Sequence, residues 1–547
     1  MNGRAGPAVI EPTFSPPAER RSVLDRAHVG DVEGALGTLS VFDTGPRRSP
    51  RRRLMTLLAI LGPGLVVMLA NNDAGGISVY AQAGQEHGAG LLWVLVALAP
   101  VLFINQEMVA RLGAVSGAGH ARLIVERFGR RWGAFALGDL LALNALTIVT
   151  DLIGVTLALG FFGVSRYLAV PIAAALLVAV IVGAGFRGWE RTMLTLVVVS
   201  LAAIPLALLV HGAGGAVGST AAPASSGSSF VLLVIAIAGT TIAPWQFFFQ
   251  QSNVVDKRIT PRWLAYERLD TLLGTVLVLL GAVAIMLTCA WAFDGTALHG
   301  SFADAGAVAR NLRATASPLA AILFAVVLLN ASLLGAAAVT LSGSYAVGDY
   351  FGFRHSLHRR WRDARVFRAT SVALVAIAVA VVLIPGAPLG LITTGVQALA
   401  GILLPSASVF LLLLCNDRDV LGPWVNPGWL TAIGAATVGA LVALSTILTV
   451  TTLFPDADVA TISVAVFALL ALVLAAMGVL QLRRPRHRPT TLSTAAERAA
   501  WTTPRLDTLP PPRASRLRSA TLVLVRVQLL FSAALLLARL VQAGLGG

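Results

Sequence analysis

The stretch Leu69-Ala70-Asn71-Asn72-Asp73-Ala74-Gly75-Gly76 decides how this chain folds. It lies in the middle of an apolar run, residues 54–84, that is long enough to cross a bilayer. A carboxylate at that depth is costly, and non-helical backbone survives there only where it is buried in protein or lines a cavity. The polar and glycine residues therefore predict a membrane-spanning helix that is broken at a polar cavity around Asp73.

A second break is predicted in the apolar run 230–252, at Gly239-Thr240-Thr241-Ile242-Ala243-Pro244-Trp245-Gln246. Proline lacks a backbone N–H and interrupts the hydrogen-bond ladder of a helix. The two interrupted runs are the first and the sixth along the chain. Broken helices at corresponding positions of two halves are typical of an inverted-repeat transporter, with its site near the bilayer midplane.

The composition agrees with a polytopic helical membrane protein. Of 547 residues, 56% are hydrophobic and 12% are charged, and the mean hydropathy is +0.81. This excludes both a single water-soluble globule and a disordered chain. The net charge of +15 comes from arginines at helix ends and in the tails, which indicates membrane topology rather than nucleic-acid binding. Cys289 and Cys415 lie in apolar runs and give no disulfide framework or zinc spacing.

Twelve apolar runs are long enough to be membrane spans. They are residues 54–84, 89–110, 132–160, 167–185, 192–211, 230–252, 267–293, 317–347, 366–385, 389–415, 428–453 and 460–482. The predicted organisation is a disordered cytoplasmic tail (1–53), a transporter core of ten helices (54–415), two additional helices (416–482) and a basic, Pro-rich tail (483–547) that is disordered to about residue 512. In that last tail, the apolar stretch 519–543 contains Arg526 and Arg539, which favours a helix at the membrane interface over a thirteenth span.

The distribution of positive charge predicts the orientation. With the N-terminus inside, the inner loops hold 18 lysines and arginines and the outer loops hold 3. The chain is therefore predicted to be a multi-pass protein of the cell membrane with a cytoplasmic N-terminus. It contains no GxxxxGKS/T, HExxH, CxxC or GxSxG motif. We therefore expect no enzyme activity, no ATP-driven pumping from this chain alone and no cofactor, and nothing indicates an obligate protein partner.

Residues 54–480 resemble the NRAMP family of divalent-metal transporters, which has the LeuT-like fold. The family's first-helix pattern DPGN corresponds to Asp73-Ala74-Gly75-Gly76, and its sixth-helix pattern MPH corresponds to Ala243-Pro244-Trp245. The order and spacing of weaker motifs agree, including Ala110-Arg111-Leu112-Gly113, Thr150-Asp151-Leu152, residues 341–346 and 422–427, and Gln397 before Pro405. The resemblance implies an all-α fold with a 5+5 inverted repeat, broken first and sixth helices and two extra C-terminal helices.

The resemblance also implies a metal site, and here the chain departs from the family. Family members coordinate transition metals with the Asp and the Asn of DPGN, a sixth-helix carbonyl and the Met sulfur. In this chain Asp73 is kept, but Gly76 stands at the Asn position, Ala243 at the Met position and Trp245 at the His position. In this respect the chain is similar to the NRAMP-related magnesium transporters, a branch that lacks the methionine.

The remaining residues predict a site for a hard cation that keeps part of its water shell. Magnesium demands oxygen ligands and dehydrates reluctantly, whereas a thioether favours softer ions. The predicted metal site contains Asp73 as the anionic ligand, a backbone carbonyl of Thr240, the amides of Gln246 and Gln397, and space for water at Gly76 and Ala243. The predicted cavity lining and supporting residues are Asn71, Asn72, Ala74, Gly75, Pro244, Trp245 and Asp151.

These residues favour Mg²⁺ as the transported ion, with Mn²⁺ second. The alternatives are a proton-coupled Mn²⁺ or Fe²⁺ transporter of the NRAMP type, an amino-acid symporter of the same fold, and a sensor that binds ions without moving them. Proton-coupled family members use the His after the sixth-helix proline and an Asp-x-x-Glu pair in the third helix. The chain has Trp245, Asp151 and Gly154 at these three positions, so we predict weak or absent proton coupling.

Overall fold

The structure, a computed structural model, describes residues 23–24, 26–43, 45–212, 228–386, 389–454, 458–483 and 494–511, together with the single residues 523, 526 and 527. The apolar stretch 519–543 lies almost wholly outside the described residues, so its placement at the membrane interface stays a prediction.

Helices dominate the described part of the chain. The helices before the second break are α1 (Pro50–Ile60), α2 (Pro63–Ala70), α3 (Ala74–His87), α4 (Leu92–Ser116), α5 (His120–Phe128), α6 (Arg130–Phe161), α7 (Arg166–Gly183), α8 (Gly185–Ser200), α9 (Ala203–Gly212) and α10 (Ser228–Thr241). The helices after it are α11 (Pro244–Asp256), α12 (Leu264–Phe293), α13 (Ala305–Thr315), α14 (Pro318–Phe351), α15 (Arg365–Val382), α16 (Leu389–Cys415), α17 (Arg418–Leu421), α18 (Gly428–Leu453), α19 (Val459–Arg483) and α20 (Ala495–Ala500).

Ten helical segments of the described residues are long and apolar enough to cross a membrane, and the bent pair α1–α2 makes an eleventh. That pair is bent by 51°, and α3 follows after a second interruption, so the first predicted span is broken. The backbone of α16 runs through the tenth predicted span. The prediction of an all-helical, multi-pass membrane protein with broken first and sixth spans is confirmed.

Long helices support the broken ones. α14 packs along α6, and α12 packs against α2, α3 and α4. Gly64 allows α2 to approach α12 closely, since a Cβ there would lie 2.6 Å from the backbone nitrogen of Thr271 on α12. The preceding residue, Asp270, accepts hydrogen bonds from the backbone amides of Gly62 (3.1 Å) and Gly64 (2.7 Å). α12 therefore satisfies amides that the start of α2 would leave unpaired inside the membrane.

Part of the N-terminal segment is folded, so the prediction of a disordered tail over residues 1–53 is wrong for this part. Val32–Gly34 (β1) and Gly37–Leu39 (β2) pair as an antiparallel hairpin, with Val32 opposite Leu39. These two side chains are buried in a cluster with Ile60 of α1. The amide of Ala35 at the hairpin turn donates to the Glu190 carboxylate of α8 at 2.5 Å. The hairpin is stabilised by long-range contacts, which local composition does not reveal.

Residues 494–511 also fold back onto the helices, where we predicted disorder. The hydroxyl of Thr503 donates to the carbonyl of Val420 at 2.7 Å. Trp501 lies so close over Gly422 that any side chain there would overlap the indole ring. Both docked tail segments lie on the face that carries the arginine-rich loops, as an even number of spans requires.

A buried ion pair lies beneath the hairpin. Lys257 Nζ is 2.6 Å from Glu190 Oε1, and both side chains are at most 1% exposed. The same ammonium group donates to the carbonyl of Leu61 at the bend between α1 and α2, at 2.9 Å. Because Glu190 also accepts from Ala35, this pair joins the hairpin, α8 and the start of the broken first helix.

Lys257→Met should destabilise the fold, because it leaves the Glu190 carboxylate buried without its partner. The loss in free energy of unfolding should be about 3–5 kcal/mol. Chemical denaturation of the detergent-solubilised protein measures it, and the double variant K257M/E190L should recover most of the loss. Arg505→Gln is the control, since Arg505 and its partner Asp507 are each 62% exposed and their pairing is screened by solvent. Wild-type stability of Lys257→Met would contradict a structural role for the pair.

Candidate functional site

The two helix breaks lie against each other. α2 ends at Ala70 and α3 begins at Ala74, whereas α10 ends at Thr241 and α11 begins at Pro244. The side-chain amide of Asn71 (Nδ2), in the first break, donates to the backbone carbonyl of Thr241, the last residue before the second break, at 2.9 Å. The structure thus brings together the two interrupted segments that the sequence singled out.

Asp73 caps the N-terminus of α3. Its backbone is extended (φ −69°, ψ −175°), and its Oδ1 accepts the amide of Gly76 at 2.8 Å. An aspartate at this position satisfies a free amide and is stabilised by the positive end of the helix dipole. The side chain is buried, with only 6% of its residue exposed. A fixed carboxylate is therefore held at the break.

Three oxygens converge beside Gly76. A Cβ on Gly76 would lie 3.1 Å from the Asn71 carbonyl oxygen, 3.3 Å from Thr240 Oγ1 and 3.6 Å from Asp73 Oδ1. Glycine leaves this space open, and we call it the Gly76 cradle. One carboxylate, one carbonyl and one hydroxyl are hard donors that suit Mg²⁺, Ca²⁺ or Mn²⁺. Sequence reasoning predicted the carbonyl of Thr240 as a ligand; the structure instead turns its hydroxyl toward the cradle.

Ile242 and Ala243 link α10 to α11 at the second break. Ala243 is extended (φ −106°, ψ 141°) and precedes Pro244, which occupies the first position of α11, where its missing N–H is not needed. Trp245 is buried, and its carbonyl accepts the hydroxyl of Ser342 on α14 at 2.9 Å. Trp245 therefore packs in the protein interior and has no group that titrates.

Gln246 belongs to a chain of side-chain amides. Its Nε2 donates to Asn71 Oδ1, and its Oε1 accepts from Gln106 of α4 at 2.8 Å. This chain fixes Asn71, whose carbonyl faces the cradle. Gln106 was not predicted, although an amide inside the second apolar run was a usable signal. The side chain of Gln397 lies outside the described residues, so its predicted role as a ligand stays a prediction.

Asn72 points away from the cradle toward α12. Its Nδ2 donates to the carbonyl of Val278 at 3.0 Å, which pairs an acceptor within the membrane. The side chain borders two small cavities of about 20 Å³ each, both of which also border Tyr80. Asn72 thus anchors the break to α12, in agreement with a supporting role.

Asp151 lies on the other side of the first break. Its Oδ1 accepts the amide of Ala74 at 3.2 Å. A Cβ on Gly335 of α14 would lie 2.7 Å from the Asp73 Cβ and 3.0 Å from Asp151 Oδ2, so this glycine separates the two carboxylates. Gly335 was missed because a single glycine in an apolar run, among 52 glycines, carries no signal of its own.

Gly154 stands where proton-coupled transporters have the glutamate of the Asp-x-x-Glu pair, and the structure leaves no room there for a side chain. A Cβ on Gly154 would overlap both Ser332 Oγ of α14 and the Cβ of Ala74. Across the described residues, no group of three or more His, Cys, Asp or Glu side chains could hold a metal ion. A cation at the break would therefore rely on Asp73 and neutral oxygens.

The profile of the family described as natural resistance-associated macrophage protein-like, or Nramp, matches residues 64–451, more than half of the chain. The chain belongs to the Nramp family. The matched region includes both helix breaks and all the helices between them. The family resemblance seen in the motifs is confirmed, whereas membership of the magnesium branch stays a prediction.

Known Nramp proteins match most of the chain. The divalent metal cation transporter MntH of Verminephrobacter eiseniae is 26% identical over 423 residues, which cover 74% of this chain and 92% of the relative. MntH 1 of Pseudomonas aeruginosa is 29% identical over 411 residues, which cover 72% and 90%. The solved manganese transporter of Eremococcus coleocola shares the fold, with a TM-score of 0.61, 22% identity and coverage of 82% of this chain and 99% of that one.

This Nramp protein is a multi-pass membrane transporter of divalent metal cations and not an enzyme, as the sequence predicted. The amino-acid symporter and the ion sensor receive no support from these relatives. The predicted helical transporter fold agrees with the fold of the solved manganese transporter.

Gly335→Ala should weaken binding of divalent metal, because its Cβ would press on Asp73 and displace the carboxylate from the cradle. Overpacking of this kind costs about 1–3 kcal/mol, so Mn²⁺ binding should fall by roughly tenfold or more. Isothermal titration calorimetry on the purified protein measures the change. Gly138→Ala on α6 is the matched control, since its Cβ would have no neighbour within 4 Å. Unchanged affinity in a folded Gly335→Ala protein would exclude the Gly76 cradle as the site.

Proposed function

We propose that this Nramp protein binds its divalent cation in the Gly76 cradle, with Asp73 as the charged ligand. The convergence of the Asn71 carbonyl, Thr240 Oγ1 and Asp73 Oδ1 on the space beside Gly76 carries the proposal. Three protein oxygens leave part of a six-fold shell to water, which suits ions that dehydrate reluctantly. Ala243 supplies no donor atom, and its small side chain leaves space for such water.

Mn²⁺ is the first candidate for the transported ion. The solved relative is named a manganese transporter, the curated relatives are named divalent metal cation transporters, and oxygen ligands suit Mn²⁺. Mg²⁺, which the sequence favoured, receives no support from these names and becomes the second candidate. One observation favours it: Ala243 brings no thioether, the ligand that would select a softer ion.

We propose that the face with the arginine-rich loops is cytoplasmic. The 18 to 3 bias of positive charge supports this orientation, and the N-terminal hairpin lies on that face. The two breaks and the 51° bend between α1 and α2 provide hinges for alternating access. A membrane potential of 100 mV supplies about 2.3 kcal/mol per charge, and roughly twice that for a divalent ion. This drives import without a second ion.

Asp73→Asn should abolish most transport while the protein stays folded, because the amide keeps the shape of the side chain but removes its charge. Uptake of Mn²⁺ into proteoliposomes, with Mg²⁺ and Ca²⁺ as competitors, is the measurement. Asp139→Asn is the matched control, since Asp139 lies in the same membrane-spanning region but bonds to Ser406 away from the break. Near-normal Mn²⁺ and Mg²⁺ flux in Asp73→Asn would overturn the assignment. Preferential inhibition by Mg²⁺ in the wild type would make magnesium the substrate.

Gly76→Asn combined with Ala243→Met should shift selectivity toward Mn²⁺ and Cd²⁺ and lower Mg²⁺ flux. The new thioether favours softer ions, and the new amide oxygen replaces a water molecule, which disfavours an ion that dehydrates reluctantly. The cradle must widen slightly, since the new Cβ would lie 3.1 Å from the Asn71 carbonyl oxygen. Competition between Cd²⁺ and Mg²⁺ for uptake measures the shift, with each single variant as a control. Unchanged selectivity in the folded double variant would show that these side chains do not set the preference.

Metal uptake should carry few or no protons, since Trp245 and Gly154 replace two members of the family's relay and Gly154 is closed by packing. A pH-sensitive dye inside the proteoliposomes reports proton entry during Mn²⁺ or Mg²⁺ uptake. A metal-dependent proton influx that disappears in Asp151→Asn would show that coupling persists through this carboxylate and would refute the prediction.

A further inference from the structure

The loop between α14 and α15 presents aromatic side chains at the end of two membrane spans. Phe351, Phe353 and Trp361 are 51%, 43% and 44% exposed. The rings of Phe351 and Phe353 stack with their centres 5.5 Å apart. Large aromatic rings at a membrane border are typical of residues that sit among lipid headgroups. We call residues 351–365 the aromatic–arginine loop.

Four exposed arginines share this loop. They are Arg354, Arg360, Arg362 and Arg365, and none of them forms an ion pair with a carboxylate among the described residues. Asp363 is the only acidic residue in the loop, so the loop keeps a net positive charge. Exposed guanidinium groups that lack acidic partners are available to an anion from outside the protein.

Three arginines elsewhere on this face are neutralised by carboxylates of the protein. Arg258 pairs with Glu33 of the hairpin at 3.1 Å, and Arg187 pairs with the same carboxylate at 3.4 Å. Arg127 pairs with Asp417 at 2.6 Å and with a second aspartate next to it. The aromatic–arginine loop, by contrast, keeps its excess positive charge, at the end of two membrane spans.

We propose that the aromatic–arginine loop binds the phosphate headgroups of anionic phospholipids. Guanidinium groups form two parallel hydrogen bonds to phosphate oxygens, and the aromatic rings suit the adjoining interface. Each arginine near an anionic membrane surface strengthens binding about fivefold. Four of them form a headgroup site, whereas a soluble anion would gain nothing from the exposed rings.

The loop is fastened to the helix that leads to the metal site. Asp256, the last residue of α11, accepts the amide of Leu357 at 2.8 Å and the hydroxyl of Tyr345 at 2.7 Å. Arg368 donates to the carbonyl of Arg359 at 2.8 Å. α11 starts at Pro244 in the second break and runs for 13 residues to this attachment. Bound lipid therefore holds the far end of α11 and should affect how readily the helix moves during transport.

The test uses the full-length protein and the variant R354Q/R360Q/R362Q/R365Q. Native mass spectrometry counts the phosphatidylglycerol molecules that each protein retains without metal. Mn²⁺ uptake is then compared in vesicles of phosphatidylcholine alone and of phosphatidylcholine mixed with phosphatidylglycerol. Retention should fall about fivefold for each arginine removed, and the response of uptake to phosphatidylglycerol should disappear. Uptake in phosphatidylcholine alone should match the wild type.

The matched control is R310Q/R313Q on α13, which lies on the opposite face and should retain lipid like the wild type. The single variants R360Q and R362Q replace the fourfold variant if that protein misfolds or inserts with altered topology. Wild-type lipid retention in the arginine variants would overturn the proposal. Displacement of the lipid by free inorganic phosphate would also overturn it, since the loop would then be a soluble-anion site. Retention is measured without metal, so this outcome is independent of the metal-site assignment.

Discussion

An interrupted helix inside a bilayer must find partners for the backbone groups that its missing turns leave unpaired. This constraint explains most of the side-chain chemistry around the two breaks. Asn71 pairs the carbonyl of Thr241 and Asp73 pairs the amide of Gly76, whereas Asn72 ties the break to a carbonyl of the continuous helix α12, that of Val278. At the other end of α2, Asp270 accepts the amide of Gly64. The polar residues that permit the break thus also pair the backbone groups that it exposes. Asp73 Oδ1 still faces the Gly76 cradle.

The face that carries the arginine-rich loops has its own set of buried polar contacts. The Lys257–Glu190 pair connects the hairpin turn at Ala35 with the carbonyl of Leu61, so the N-terminal segment is linked to the bend of the first helix. Asp256 attaches the aromatic–arginine loop to the end of α11. Each broken span is therefore tied at this face to a segment that lies outside the membrane. Movement of either half-helix has to alter contacts there as well as at the two helix breaks.

The sequence predicts the broken spans, the family and the residues at the breaks, because each depends on residue types that are costly in a bilayer. It does not predict which neutral oxygens face the Gly76 cradle. Thr240 was assigned through its carbonyl, and only the meeting of α10 with α3 turns its hydroxyl toward Gly76. Gly335 and the hairpin were missed for a related reason. Their importance arises from contacts between residues far apart in the chain, and no local pattern records them.

Three glycines determine what the first break can hold, each in a different way. Gly76 opens the cradle toward Thr240, Gly335 keeps α14 clear of Asp73 and Asp151, and Gly154 closes the α6 side by contact with Ala74 and Ser332. A glutamate in place of Gly154 would need α6 to move away from α3. The break therefore has two carboxylates nearby, Asp73 and Asp151, whose combined charge a divalent cation balances when both are ionised. A third carboxylate would leave an excess negative charge inside the membrane, which only a proton or another cation could neutralise. The close packing at Gly154, which leaves no room for a third carboxylate, is therefore consistent with the proposal that the metal needs no accompanying proton.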